Sequence, residues 1–307
     1  MSIQNLTQEE FWQNHKNHSI WDEVVRTLLE KENIQFQTIS RFPMGGNIVY
    51  SIDDQMVLKL FSPFDSREFF IETDVIEKTD WNQIDIEVPK VLCKGTFEGW
   101  HYLIMTRVQG TLLIDVWNDL SHDERVTIAT DLGKLIKQMH TLNIEVYEEL
   151  DRNFDNWIMD QKKRVKNHHI KTGLASHIID DVEDFVSSFE TSSEQVLLTG
   201  EYTPFNLIVN RQKDKWTITG LIDFADCFIG EPNYDLLGPI LFNFYKESGL
   251  TSAFLNSYGI DLTDAVRNRL MQLLLLHRFS NLPNYLDGEI DNLEVESLES
   301  LFKRFFT

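Results

Sequence analysis

The sequence predicts an α+β chain: an antiparallel sheet in the first third, then a mainly helical remainder into which one hairpin is set. Three observations carry that expectation. Short apolar pieces with strand-like spacing crowd between residues 34 and 105. After Gly110 the apolar period becomes helical. Within the helical part, Leu207–Val209 and Thr217–Ile222 flank the polar turn Asn210–Lys215, which is a hairpin signal. At 307 residues the chain fits one large domain or two lobes.

The elements follow in order. Thr7-Gln-Glu-Glu10 reads as a capping box opening a short helix. Trp21, Val24, Val25, Leu28 and Leu29 then repeat at helical spacing, as a packing helix does. Ile34–Ser40, Ile48–Ile52 and Met56–Phe61 read as strands. Between the first two lies Arg41-Phe-Pro-Met-Gly-Gly-Asn47. A turn containing Gly45 and Gly46 lets backbone N–H groups approach a phosphate, although such pairs commonly serve as plain turns. Lys59 sits between apolar neighbours in Met56–Phe61, which calls for a charged partner or an exposed ammonium tip. Ser66–Lys78 is helical, and Glu68 or Glu72 shares a face with Phe69 and Ile76.

Val88–Leu92 and Trp100–Met105 read as two more strands, separated around Gly95–Gly99. Thr106–Gly110 is a short linker, and the division of the chain is placed there: residues 1–107 and 108–307. Ser121-His-Asp-Glu124 is a second capping box, followed by a core helix to about residue 142 that ends near His140. Phe154–His169 carries a basic cluster (Lys162, Lys163, Arg164, Lys166) that reads as a solvated face. Ser176–Ser188, Leu236–Ser248, Thr251–Tyr258 and Thr263–Phe279 read as further helices. Residues 279–302 hold Asp287, Glu289, Asp291, Glu294, Glu296 and Glu299, with no Lys or Arg.

Composition excludes several function classes. The 42% apolar and 25% charged content is ordinary for a globular protein. The net charge of −21 makes nucleic acid a poor partner and a cationic ligand a good one. Two cysteines, Cys93 and Cys227, form no metal or disulfide pattern and suggest a reducing compartment, so a cytoplasmic location is expected. No signal-peptide core or transmembrane run is apparent, so no membrane partner is expected.

The chemistry concentrates at Leu197–Asp235. Glu201 and Asn206 precede one strand of the hairpin and Asp223 ends the other, so hard oxygen ligands converge at one end. Such a cluster suits magnesium–nucleotide chemistry. Thr199-Gly-Glu-Tyr-Thr-Pro-Phe-Asn206, Ile222-Asp-Phe224 and Gly230-Glu-Pro-Asn-Tyr-Asp235 together resemble the aminoglycoside phosphotransferase family. Its usual pattern is H-G-D-x-x-x-x-N, then I-D-[FW], then G-[DE]-P-x-[YF]-D. The spacing matches, and two side chains depart: Thr199 stands for the usual His and Glu201 for the usual Asp.

The resemblance spans roughly residues 35–280. It implies a bilobal protein-kinase-like fold with a small antiparallel-sheet N-terminal lobe and a larger, mainly helical C-terminal lobe. It implies ATP, or GTP, and Mg²⁺. Lys59 would hold the α/β phosphates, with Glu72 as its partner, and Gly45 and Gly46 would lie over the phosphates. The linker at Met105, Thr106 and Val108 would hold the adenine. Asn206 and Asp223 would bind the metal, and Glu201 would be the catalytic base. Asp235 reads as a loop brace or helix cap, Asp226 as an acceptor-side or loop residue, and Cys227 as core. The implied acceptor is a small cationic hydroxyl compound, first an aminoglycoside; 98–110 and 221–236 look nearest to the hygromycin-phosphotransferase-like branch. A housekeeping kinase for a sugar, amino alcohol or amino acid, and a pseudokinase without turnover, are the alternatives. A monomer or weak dimer is expected.

Overall fold

The computed structural model describes residues 3–213, 215–278, 280–285, 297–299 and 305–306. Helix α1 (Gln8–Asn14) opens on the expected capping box, with the Thr7 hydroxyl accepting from the Glu10 amide and Glu10 accepting from the Thr7 amide. Helix α2 (His18–Lys31) buries the five apolar residues whose spacing announced it. Strands β1 (Ile39–Arg41), β2 (Ile48–Ile52) and β3 (Met56–Phe61) precede helix α3 (Arg67–Lys78), then β4 (Val91–Phe97) and β5 (Trp100–Thr106). The five strands form one antiparallel sheet in the order β1-β2-β3-β5-β4.

Both faces of this sheet are covered. Leu58 and Leu60 join α1 and α2 in one cluster, with Ile48, Tyr50, Trp100 and Ile104. Val57 and Phe61, on the other side of the pleat, join a second cluster with Phe69, Leu103 and Met105. That second cluster runs on into the helical part, so the two parts of the chain share core at this face. Lys59 alternates with Leu58 and Leu60 and therefore lies on the shared face.

The C-terminal part contains β6 (Thr111–Leu112), α4 (Leu113–Val116), α5 (His122–Met139), α6 (Phe154–Lys171) and α7 (Ser176–Ser187). Strands β7 (Val196–Leu198), β8 (Leu207–Gln212), β9 (Lys215–Leu221) and β10 (Phe228–Gly230) follow, then helices α8 (Leu237–Pro239), α9 (Leu250–Tyr258), α10 (Asp264–Leu276) and α11 (Leu282–Tyr285). β8 lies between β6 and β9, and β7 pairs with β10. Helix α5 packs on α9 through Gly133, where a Cβ would meet the backbone oxygen of Phe254 at 2.4 Å. No helix among the described residues is long and apolar enough to cross a membrane.

Several expected boundaries moved. Ile34–Ser40 is not a strand; pairing starts only at Ile39, because the Asp53 carboxylate takes the amides of Gln37 and Thr38. Of Val88–Leu92 only Val91 and Leu92 are in a strand: β4 starts at Val91, after Pro89, which has no amide to donate, and continues to Phe97. The hairpin turn is tighter than Asn210–Lys215, since the strands extend to Gln212 and from Lys215. Leu236–Ser248 is not one helix. The backbone stays helical through Pro239, but the short α8 gives way to a single π turn, Ile240–Phe244. The last long helix ends at Leu276 rather than Phe279. Asp287, Glu289, Asp291, Glu294 and Glu296 lie outside the described residues.

Candidate active site

The hairpin builds one half of the site. Leu207 pairs with Leu221, and the Ile222 amide donates to the Asn206 carbonyl at 3.0 Å. Asn206 and Ile222 are therefore side by side, and Asp223 is the next residue. Asp223 has φ +66°, a left-handed conformation that a short polar side chain tolerates better than most. The turn this makes ends the strand.

The sheet supplies the other half. Lys59 Nζ lies 2.7 Å from Glu72 Oε2 and 2.8 Å from Asp223 Oδ1. The lysine and glutamate side chains are 6% and 1% exposed, while that of Asp223 is 43% exposed. A buried ammonium is thus held between one deep carboxylate and one that reaches solvent. Desolvation disfavours the charged lysine, but Asp223 and Glu72 outweigh it and raise its pKa, so Lys59 stays protonated. Loss of solvent pushes the Asp223 carboxyl up; the Lys59 charge and hydrogen bond more than offset this and hold it below the ordinary aspartate value. Burial pushes Glu72 up to about 7, with Lys59 opposing and Asp223 assisting.

Glu201 sits on the loop before β8. Asn206 Nδ2 donates to its carbonyl at 3.2 Å and to its carboxylate at 3.1 Å. The Glu201 amide reaches the Thr199 hydroxyl at 3.4 Å, so Thr199 caps the backbone as its residue type allows. Burial, then the charges of Asp226 and Asp223, push the Glu201 carboxyl up to about 7. Below the loop, Asp235 accepts from the Thr199 amide at 3.1 Å and the Gly200 amide at 2.8 Å. His140 Nε2, at the end of α5, meets the same carboxylate at 3.2 Å. Asp235 is therefore a loop brace and not a helix cap, and His140 is satisfied by Asp235 and the Tyr258 hydroxyl.

The remaining site residues are placed less closely. Met105 lies on β5 opposite Val57, on the sheet face that carries Lys59. Thr106 and Arg107 use their amides internally, on the carbonyls of Lys90 and Gln55. Val108 is buried against the hairpin; a Cβ on Gly220 would come within 2.4 Å of its Cγ1. Gly45 and Gly46 form an exposed tip, with Gly45 at φ +102°. No group of three or more His, Cys, Asp or Glu suited to a metal occurs among the described residues. Asp223 and Asn206 offer two hard oxygens. Such a set fits Mg²⁺, which keeps waters and binds substrate phosphates beside one or two carboxylates.

Sequence reading missed two side chains, Arg278 and Arg269, and offered Glu68 only as the alternative to Glu72. Arg278, after α10, is ion-paired with Asp226 and lies close enough to Glu201 to oppose its upward shift. Arg269 makes a two-pronged bond, 2.7 Å each, to the fully buried Glu231 of the Gly-Glu-Pro motif. Glu68 accepts from Asn47 at 2.6 Å. The isolated cations of an acidic C-terminal part were the available signal for the first two. A cavity of about 280 Å³ opens here, lined partly by Glu68, Trp157, Asp226, Phe228 and Arg278. A larger one, about 970 Å³, lies elsewhere between α5, β9 and residues 81–91, and none of the site residues lines it.

Comparison with solved structures finds the same fold. The GDP complex of wild-type aminoglycoside 2'-phosphotransferase-IIIa superposes with a TM-score of 0.72 at 17% identity, covering 92% of this chain and 97% of that one. The streptomycin–ATP–APH(2")-IIa ternary complex gives 0.60 at 17% identity, covering 92% and 96%. The macrolide 2'-phosphotransferase MphH from Brachybacterium faecium gives 0.61 at 13% identity, covering 93% and 98%. Residues 39–273, which hold Lys59, Glu72, Glu201, Asn206, Asp223 and Asp235, match the model of the phosphotransferase enzyme family, and the chain belongs to that family.

Proposed function

We propose that the chain transfers the γ-phosphoryl group of ATP, or of GTP, to a hydroxyl of a small cationic acceptor. An aminoglycoside is the leading acceptor class, with a hygromycin-like compound as its narrower form. One observation carries the reading: Lys59, Asp223, Asn206 and Glu201 converge from two separate sheets at the mouth of one hairpin. The boundary between the two lobes is set at residues 107/108.

Phosphoryl transfer needs alignment and charge neutralisation more than covalent chemistry. Lys59 would hold the α/β phosphates, fixed from behind by Glu72. Asp223 and Asn206 would hold Mg²⁺; because Asn206 Nδ2 is engaged by Glu201, its carbonyl oxygen is the atom it offers. Bound there, the ion would neutralise phosphate charge. Met105 and Val108 would wall the base. With the Thr106 and Arg107 amides engaged, a base would be read by Val108 and by carbonyl oxygens. Glu201 would take the acceptor's proton, and a carboxyl titrating near 7 is well matched to that task. Its contact with Asn206 turns it toward the proposed metal ligands, which supports turnover over a pseudokinase.

The test is nucleotide turnover with ATP and GTP against a panel of aminoglycosides, macrolides, sugars and amino alcohols. Asp223→Asn and Lys59→Ala should each abolish it. Turnover that survives Asp223→Asn would overturn the mechanism, and turnover with neutral acceptors only would move the acceptor class.

A further inference from the structure

The Gly45–Gly46 tip touches a residue from outside the matched part of the chain. His15, the residue that ends α1, places Nε2 3.1 Å from the Gly46 carbonyl oxygen. We propose that His15 is a positioning residue: it clamps the glycine turn and so sets the affinity for the nucleotide. The inference rests on the functional reading above, because it takes Gly45 and Gly46 as the phosphate-facing turn.

The geometry supports the clamp at both ends. A carbonyl only accepts, so His15 must donate from Nε2. The imidazole is 8% exposed, and burial, with the charges of Arg41 and Lys16, lowers its pKa. Phe11 meets the ring edge-on at 5.2 Å and Trp12 lies at 5.3 Å. Helix α1 is itself tied down. Its capping box closes one end, Phe11 packs on Trp21 and Trp100, and the Trp21 indole donates to the Asn14 carbonyl at 3.0 Å. The donor is thus held by a rigid support.

The turn, in contrast, has little support of its own. A Cβ at Gly45 or Gly46 would meet nothing within 4 Å. Its C-terminal limb is held by His15, on the backbone of Gly46 and Asn47, and by Asn47 Nδ2 on Glu68 of α3 at 2.6 Å. In a trans peptide the carbonyl and the next amide point in opposite directions. By holding the Gly46 carbonyl toward α1, His15 turns the Asn47 N–H away from α1. An amide turned that way without rearrangement is available to an anion. Without the clamp, the glycine pair must be ordered at each binding event, which costs affinity.

The experiment compares His15→Phe, which keeps ring packing but loses the donor, with His15→Gln, which keeps a donor. Binding of ADP and ATP, steady-state kinetics and thermal unfolding are read for each. In His15→Phe the nucleotide KM should rise about tenfold with kcat within about twofold, and His15→Gln should recover most of the loss. Unchanged nucleotide affinity in a folded His15→Phe overturns the clamp while leaving the functional reading intact. Equal losses in both variants, tracking a lowered Tm, reduce His15 to packing and overturn it too. A wild type that binds no nucleotide overturns both. Should His15→Phe fail to fold, amide exchange in the wild type decides: nucleotide must slow exchange at residues 45–48, and fast exchange there overturns the clamp.

Discussion

Glu201 is held at three points: its carbonyl and carboxylate by Asn206, and its amide by Thr199. The methylene it carries beyond an aspartate adds about 1–1.5 Å of reach, and Asn206 meets the carboxylate at the end of that reach. Glu201→Asp should therefore lose turnover, by tenfold or more on the scale that misplaced groups cost; a gain would mean the loop is built for the shorter chain. Glu201→Gln should lose at least about 100-fold as general-base catalysis is removed. With the free carboxyl near 7, kcat/KM should climb as pH rises through about 7 and level above it, and a flat profile from pH 5.5 to 8.5 would remove Glu201 from the base role. Stability has the opposite sign. A carboxyl raised in the folded state favours folding below its unfolded value, near 4.5, and this contribution is lost as pH rises through 7. Glu201→Gln should then be more stable than the wild type at pH 8, by up to about 3 kcal/mol, and equal to it near pH 4; urea titrations at the two pH values check this. The pairing of Lys59 with Glu72 was legible in the sequence, because a lysine among strand apolars demands a partner and the helix face of Phe69 and Ile76 offers two, Glu68 and Glu72. The ion pair of Asp226 with Arg278 was not, since 52 residues separate the two.

At the scale of elements, the site depends on short loops fixed by carboxylates from outside them. Asp235 is the clearest case: its two oxygens serve the amides of Thr199 and Gly200 and the ring of His140. Asp235→Asn substitutes an amide donor for one acceptor and sets it against a backbone N–H or the imidazole. A buried donor left without its acceptor costs about 1–3 kcal/mol. The loop bearing Glu201 should loosen, so kcat should fall about tenfold or more while ADP affinity changes less than threefold. Loss of ADP binding in a folded variant would show that Asp235 acts on the nucleotide side instead. The pattern Gly-Glu-Pro-Asn-Tyr-Asp announced this part of the chain without showing why its acids are there: Glu231 fastens α10 through Arg269, and Asp235 fastens the loop. Periodicity located α2 and α5 because each buries a regular stripe, and β2 and β3 stood out as short apolar runs because both faces of their sheet are covered. It failed at Ile34–Ser40, where an aspartate side chain replaced a strand partner, and at residues 236–248, where a short α-helix passes into a π turn.

Charge acts at the scale of the whole molecule. A chain of net charge −21 draws cations toward it and resists anions, and only screening sets how far that field reaches. The screening length falls from about 30 Å at 0.01 M salt to about 3 Å at 1 M. The two substrates should therefore respond in opposite directions. For a polycationic acceptor, kcat/KM should fall about tenfold between roughly 0.02 M and 0.5 M NaCl, as long-range attraction is screened. For the nucleotide, an anion approaching an anionic protein, KM should hold steady or drop. A neutral acceptor of similar size, used at saturating nucleotide, should show no salt slope and serves as the internal control. Parallel losses for cationic and neutral acceptors would point to salt acting on the fold or the metal, and the negative charge would then be a matter of solubility alone. The comparison separates a field that recruits substrate from one that merely keeps the protein dispersed, which composition alone does not distinguish.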